Sequence, residues 1–154
     1  MSFSLLSPIR GTFRYLSTLD DPVFAGEIIG PGFAVTPEDG AVINVHAPTS
    51  GKLTHLLPHA CALTQEDGQQ ILVHLGIDTV NLDGAGFSPR CAIGDVIAQG
   101  NTLFSWDTTA AREAGYALDV IVIAMAPPNS RLELLVPNGA QIDALMPGAH
   151  VHRA

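Results

Sequence analysis

Turn residues cut this sequence into short pieces. With 15 glycines and 11 prolines spread over 154 residues, few segments have room for a long helix, and such punctuation favours many short strands joined by turns. Between the breaks lie β-type runs at residues 12–16, 27–29, 33–35, 41–45, 52–57, 60–64, 70–75, 96–97, 102–106, 119–124 and 132–136. One short helix is expected over residues 108–114, with Asp107 as its N-cap and Gly115 as its stop. The expected fold is all-β: an antiparallel sandwich or partly closed barrel, as a single domain over residues 1–154.

Apolar residues make up 47% and charged residues 14% of the chain, which suits a packed core. The formal net charge is −8, and Lys52 is the one lysine. No basic run is available to neutralise phosphates, so nucleic acid is excluded as a partner class and basic proteins are favoured. Cys61 and Cys91 form no CxxC, and a reduced pair is expected. The N-terminal residues lack a signal-peptide pattern, and the longest apolar run, near residues 120–126, is far short of a membrane span. The expectation is a cytoplasmic chain without direct membrane insertion.

Two histidines attract attention, one on each side of Gln65-Glu-Asp-Gly68, which reads as a hairpin turn. With Glu66-Asp67 as a two-residue turn, His59 faces His74 directly, with Cβ atoms roughly 5 Å apart. With Asp67-Gly68 as the turn, the two are diagonal neighbours on the same face. A three-residue turn or a bulge separates them. On the second strand Ile71, Val73 and Leu75 point into the core, while Leu72 and His74 point outward. Adjacent imidazoles near neutral pH can pair a nucleophile with a hydrogen-bonding assistant, bind a metal, or simply be solvated strand residues.

Val73-His-Leu-Gly-Ile-Asp-Thr-Val80, continuing as Asn81-Leu-Asp-Gly-Ala-Gly-Phe87, resembles the signature of the glucose-type enzyme IIA of the bacterial sugar phosphotransferase system. His59-Ala60 resembles the family's first histidine. Asp21-Pro-Val-Phe-Ala-Gly26 with Gly30-Pro-Gly-Phe-Ala-Val-Thr-Pro37, Ala47-Pro-Thr-Ser-Gly51, Ile93-Gly-Asp-Val96 and Trp106-Asp107 also match, in order, from about Ser7 to Val136. The resemblance implies an antiparallel β-sandwich of the duplicated hybrid motif type and a phosphocarrier function.

By that resemblance, a histidine-phosphocarrier protein gives its phosphoryl group to Nε2 of His74. The group then passes to the cognate enzyme IIB, working with IIC, for sugar uptake. Gly76 offers the backbone carbonyl that orients His74, and His59 stabilises the phosphoryl oxygens. Asp21 and Asp78 match acidic partner-binding positions, and Phe24, Ile28, Leu72 and Val80 match an apolar rim, although Phe24 can equally be core. No cofactor is required. Family members also bind transporters and kinases, where zinc can be bridged by His59, His74 and a partner carboxylate. Leu57 stands where the family often has threonine, and His55 occupies a rim position. No long N-terminal membrane-associating tail is expected.

A reading from another class uses the same residues. His74-x-Gly-x-Asp78 with His150-x-His152 resembles the ligand set of zinc peptidases that cleave cell-wall peptides, with His74, Asp78 and His152 as ligands. It leaves His59 and the residues after Asp78 unexplained.

Overall fold

The computed structural model describes residues 2–38, 40–125 and 130–153. Fourteen strands run through it: β1 (Ser2–Leu6), β2 (Gly11–Tyr15), β3 (Gly32–Pro37), β4 (Val42–His46), β5 (Gly51–Leu57), β6 (Ala60–Thr64), β7 (Gln70–Leu75), β8 (Phe87–Pro89), β9 (Val96–Ile97), β10 (Thr102–Asp107), β11 (Val120–Ala124), β12 (Ser130–Leu134), β13 (Gln141–Ile142) and β14 (Pro147–Arg153). Two short α-helices interrupt them, α1 (Pro22–Ala25) and α2 (Thr109–Ala114).

The strands form an eight-stranded sheet in the order β13-β2-β3-β11-β7-β6-β5-β9 and two three-stranded sheets, β1-β14-β12 and β4-β10-β8. The described strand pairs are antiparallel, both the turn-linked β5-β6 and β6-β7 and those between strands far apart in the chain. The main core fills the space between one face of the large sheet and the two smaller sheets. Phe13, Phe33, Val73 and Val122 meet Leu5, Phe104, Trp106 and Val151 there.

The other face of the large sheet carries a second, smaller core of Leu16, Leu19, Phe24, Ala34, Ile77, Ile121 and Ile123. Strand β11 is therefore covered on both faces. It reads as an unbroken apolar run, Val120-Ile-Val-Ile-Ala124, with every residue buried. Strand β7 alternates instead, with Ile71, Val73 and Leu75 buried and Gln70, Leu72 and His74 partly open. That alternation is the expected one.

The expected strand at residues 27–29 does not form. Asp21, Pro22 and the residues after them make helix α1, whose N-cap Asp21 accepts from the amides of Val23 at 2.9 Å and Phe24 at 3.3 Å. Such a cap is worth about 1 kcal/mol, and proline at the first helical position loses no bond. Glu27 then takes a left-handed φ of 54°, and Ile28 N–H returns to Val23 O at 3.2 Å, so the segment finishes the helix.

Helix α2 begins one residue later than expected. Its N-cap is Thr108 and not Asp107, and no side chain caps it; Asp107 sits one residue earlier and accepts from Thr109 N–H at 3.0 Å. Strands β1, β8 and β13 are additions to the expected set, the terminal strand expected to carry His150 and His152 forms as β14, and β12 starts two residues earlier. Among the described residues no helix is long and apolar enough to cross a membrane. Cys61 and Cys91 are free thiols.

Candidate functional site: a histidine pair on the open face of the large sheet

His74 projects from β7 onto the same face as the smaller core. Its Nδ1 lies 2.8 Å from the carbonyl oxygen of Gly76. A carbonyl only accepts, so Nδ1 carries the proton and Nε2 keeps its lone pair. Gly76 has a φ of +78°, and a Cβ there would stand 2.5 Å from Thr79 Cγ2 and 2.9 Å from Ala117 O. The turn that swings this carbonyl back to the imidazole therefore requires glycine.

His59 is 8% exposed, and its ring centroid lies 5.1 Å from that of His74 at 80°. The pair is assembled differently from the sequence expectation. The loop between β6 and β7 holds five residues, closed by Gln65 N–H to Gln69 O at 2.9 Å, so Ala60 and not His59 faces His74. His59 shares its rung with Leu75, whose amide donates to His59 O at 2.8 Å. Strict alternation would send both side chains to the core. His59 escapes because it lies in the turn between β5 and β6, outside the strand alternation. The two imidazoles meet, but the turn at Pro58-His59 does it and not hairpin parity.

Aromatic rings extend the cluster. Phe24, only 7% exposed, stands edge-on to His74 at 5.2 Å. Phe87 lies 6.3 Å from His59, and Trp106 stacks on Phe87 at 5.3 Å. Burial pushes the His74 imidazole down to about 4; His59 pushes it the same way, while the Gly76 hydrogen bond and Asp21 oppose the shift. Burial also lowers His59. Both rings are therefore neutral near pH 7.

The surroundings form an open surface. Ile28 is 72%, Val80 59% and Leu57 56% exposed, and Val23 joins them at 42%. Leu72 is half-buried against the smaller core. Asp78 is exposed with a φ of 65° and makes no cap with its side chain. Phe24 belongs to the smaller core, so it supports His74 from below and is not a projecting rim residue. His55 is exposed on β5. Val23 and Leu57 were not singled out as rim residues by the sequence, although both are apolar residues beside matched positions. A cleft of about 940 Å³ lined by Lys52, Thr54, Thr64, Gln65 and Val96 lies at the far end of β5 and β6 from His59.

The peptidase ligand set is not assembled. His152 lies on β14 in another sheet, with Nε2 3.0 Å from Glu133 Oε1. Among the described residues no group of three or more His, Cys, Asp or Glu is placed to hold a metal ion. His59 and His74 by themselves offer two donors, so a bridged metal needs a third from a partner.

Antiparallel sheets packed face to face, with a desolvated imidazole pair on the open face of the larger one, define the class: a β-sandwich domain. Its particular family is shown by comparison with known proteins. The family model described as phosphoenolpyruvate-dependent sugar phosphotransferase system, EIIA 1, matches residues 3–129. The glucose-specific EIIA component of Oceanobacillus iheyensis is 37% identical over 124 residues, covering 79% of this chain and 73% of that protein. The beta-glucoside-specific EIIBCA component of Bacillus subtilis is 40% identical over 117 residues, 75% of this chain but 18% of that longer protein. The solved structure of glucose permease IIA from Mycoplasma capricolum superposes with a TM-score of 0.82 at 28% identity, covering 97% of this chain and 96% of that one. The chain belongs to the EIIA 1 family of the sugar phosphotransferase system.

Proposed function

We propose that this chain works as one phosphocarrier domain, taking up a phosphoryl group on Nε2 of His74 and handing it on for sugar uptake. The observation that carries this reading is the Nδ1 bond to Gly76 O. It fixes the tautomer that leaves the Nε2 lone pair free.

The Nε2 lone pair attacks the phosphorus of a donor phosphohistidine. The new N–P bond forms as the donor's N–P bond breaks, and that electron pair returns to the donor imidazole. No proton has to move. The positive charge developed on the His74 ring is shared with the Gly76 carbonyl through Nδ1–H. His59 donates to the phosphoryl oxygens and assists departure. Positioning and neutral donors suffice for such an in-line transfer, and the absence of a lysine clamp avoids trapping the dianion.

The donor in this reading is a histidine-phosphocarrier protein, and the acceptor is an enzyme IIB working with IIC. Relatives named EIIBCA support the second pairing, because in them these components share one chain. Ile28, Val80 and Leu72 form the apolar docking rim, with Phe24 beneath it and Asp21 and Asp78 at its border. An apolar centre with peripheral carboxylates suits a transient interface with a basic partner. The exchange takes place on the cytoplasmic side, without a required cofactor. Zinc bridged by His59, His74 and a partner carboxylate belongs to regulatory complexes.

Incubation with phosphoenolpyruvate and the two general phosphotransferase proteins, followed by mass measurement, tests the reading. The expected result is an acid-labile gain of one phosphoryl group located on His74. Undiminished labelling of His74→Ala would remove the assignment. His59→Gln is expected to accept the group but to pass it on slowly, and normal onward transfer by that variant would refute the assisting role.

A further inference from the structure

The Gly76 carbonyl fixes His74, and the segment before β11 fixes Gly76. Gly76 N–H donates to Asp119 O at 2.8 Å, and Ile77 N–H to Ala117 O at 3.0 Å. Residues 116–119 have no regular secondary structure. Val35 and Leu75 both pair with Val120, so the next rung of the large sheet crosses Thr36, Asp119 and Gly76.

Asp119 is 8% exposed, and a carboxylate held away from water needs donors. Thr36 Oγ1 donates to Asp119 Oδ1. Arg14 Nε donates in turn to Thr36 Oγ1 at 2.7 Å. The direction is set by Arg14, which only donates. With its N–H aimed at the hydroxyl oxygen, the threonine proton is turned toward Asp119. A charge-assisted chain therefore runs from β2 through β3 to the residue whose carbonyl receives Gly76.

We infer that Asp119 is a positioning residue for phosphoryl acceptance: its side chain, clamped by Thr36 and Arg14, holds the carbonyl rung that sets Gly76 and through it the Nδ1–H tautomer of His74. This rests on His74 as the acceptor. Without the clamp, residues 116–119 lose their side-chain tie to β3, and the 76–77 turn shifts with them.

The first readout is the ¹⁵N spectrum of the unphosphorylated His74 ring, in which one tautomer and a tautomer mixture differ. Thr36→Val removes the donor with little change in volume. The expected result is a mixture, with a roughly tenfold slower phosphoryl acceptance at saturating histidine-phosphocarrier protein and an unchanged KM for it, as a small misplacement of a reacting group produces. Thr36→Ser returns the hydroxyl and restores both. Asp119→Ala reproduces Thr36→Val, and the double variant is no slower than either, since one chain is cut twice.

Three results overturn the inference: a Thr36→Val protein with one tautomer and the unsubstituted rate, a Thr36→Ser protein that stays impaired, or single-variant losses that multiply in the double. Should Thr36→Val not fold, Asp119→Ala and Asp119→Asn replace it. The amide oxygen still accepts from Thr36, so the Asn variant keeps the tautomer and the Ala variant loses it; equal spectra count against the clamp. The spectrum needs no phosphoryl donor, so a failure of labelling at His74 in the unsubstituted chain strikes the proposed function and is read separately.

Discussion

Two histidine pairs stand at nearly equal separations in this molecule, with ring centroids 5.1 Å apart for His59 and His74 and 4.9 Å for His150 and His152. Their surroundings differ. The first pair packs against Phe24 and Phe87 and has one nitrogen tied to a backbone carbonyl. The second lies on β14, where His152 meets Glu133 at 3.0 Å with its side chain 34% exposed, and His150 Nδ1 is 3.4 Å from Ser4 Oγ. Near-equal spacing therefore does not make the two pairs chemically equivalent. A backbone acceptor held by sheet hydrogen bonds fixes a tautomer, whereas an exposed carboxylate on a rotatable side chain fixes little.

The sharpest way to break this contrast is labelling from phosphoenolpyruvate. His74→Ala is expected to lose the phosphoryl group entirely, while His150→Ala and His152→Ala are labelled in full. Equal loss in both sets would erase the distinction.

The next effect is on stability against pH. Burial holds His74 at about 4 when folded, below the ordinary imidazole value of 6.5. Between those values the unfolded chain binds more protons, so stability is full above the window and drains away as pH falls through it. The loss is at most about 3 kcal/mol. Urea melts of His74→Gln should show a flatter profile over this range.

Gly76→Ala comes third. The left-handed backbone and the contacts to Thr79 and Ala117 together predict a destabilisation of about 2 kcal/mol. Gly139 is also left-handed, with a φ of 89°, but nothing lies within 4 Å of an added Cβ, so Gly139→Ala should cost less. The smallest effect is that of His152→Gln at neutral pH, with a denaturation midpoint unchanged within error and insensitive to added salt.

His74, its outward orientation and the ends of β6 and β7 were legible because alternation in a half-covered strand leaves a local pattern. Helix α1 was not: four residues are too few for helical periodicity, although Asp21-Pro22 is a cap signature. The β6–β7 register escaped because a five-residue loop and a two-residue turn share the same Gly and Asp signals. The Thr36–Asp119 contact joins residues 83 apart in the chain. Nothing near either one announces the other, and only the strand order brings them to one rung.

Trp106 is the chain's single tryptophan and is fully buried, with its Nε1 unpaired among the described residues. It stacks on Phe87, and its Cη2 lies 3.3 Å from where a Cβ on Gly76 would sit. One indole thus borders both the turn that orients His74 and the ring that supports His59. Its emission is therefore expected to report movement at either one, readable without a dye.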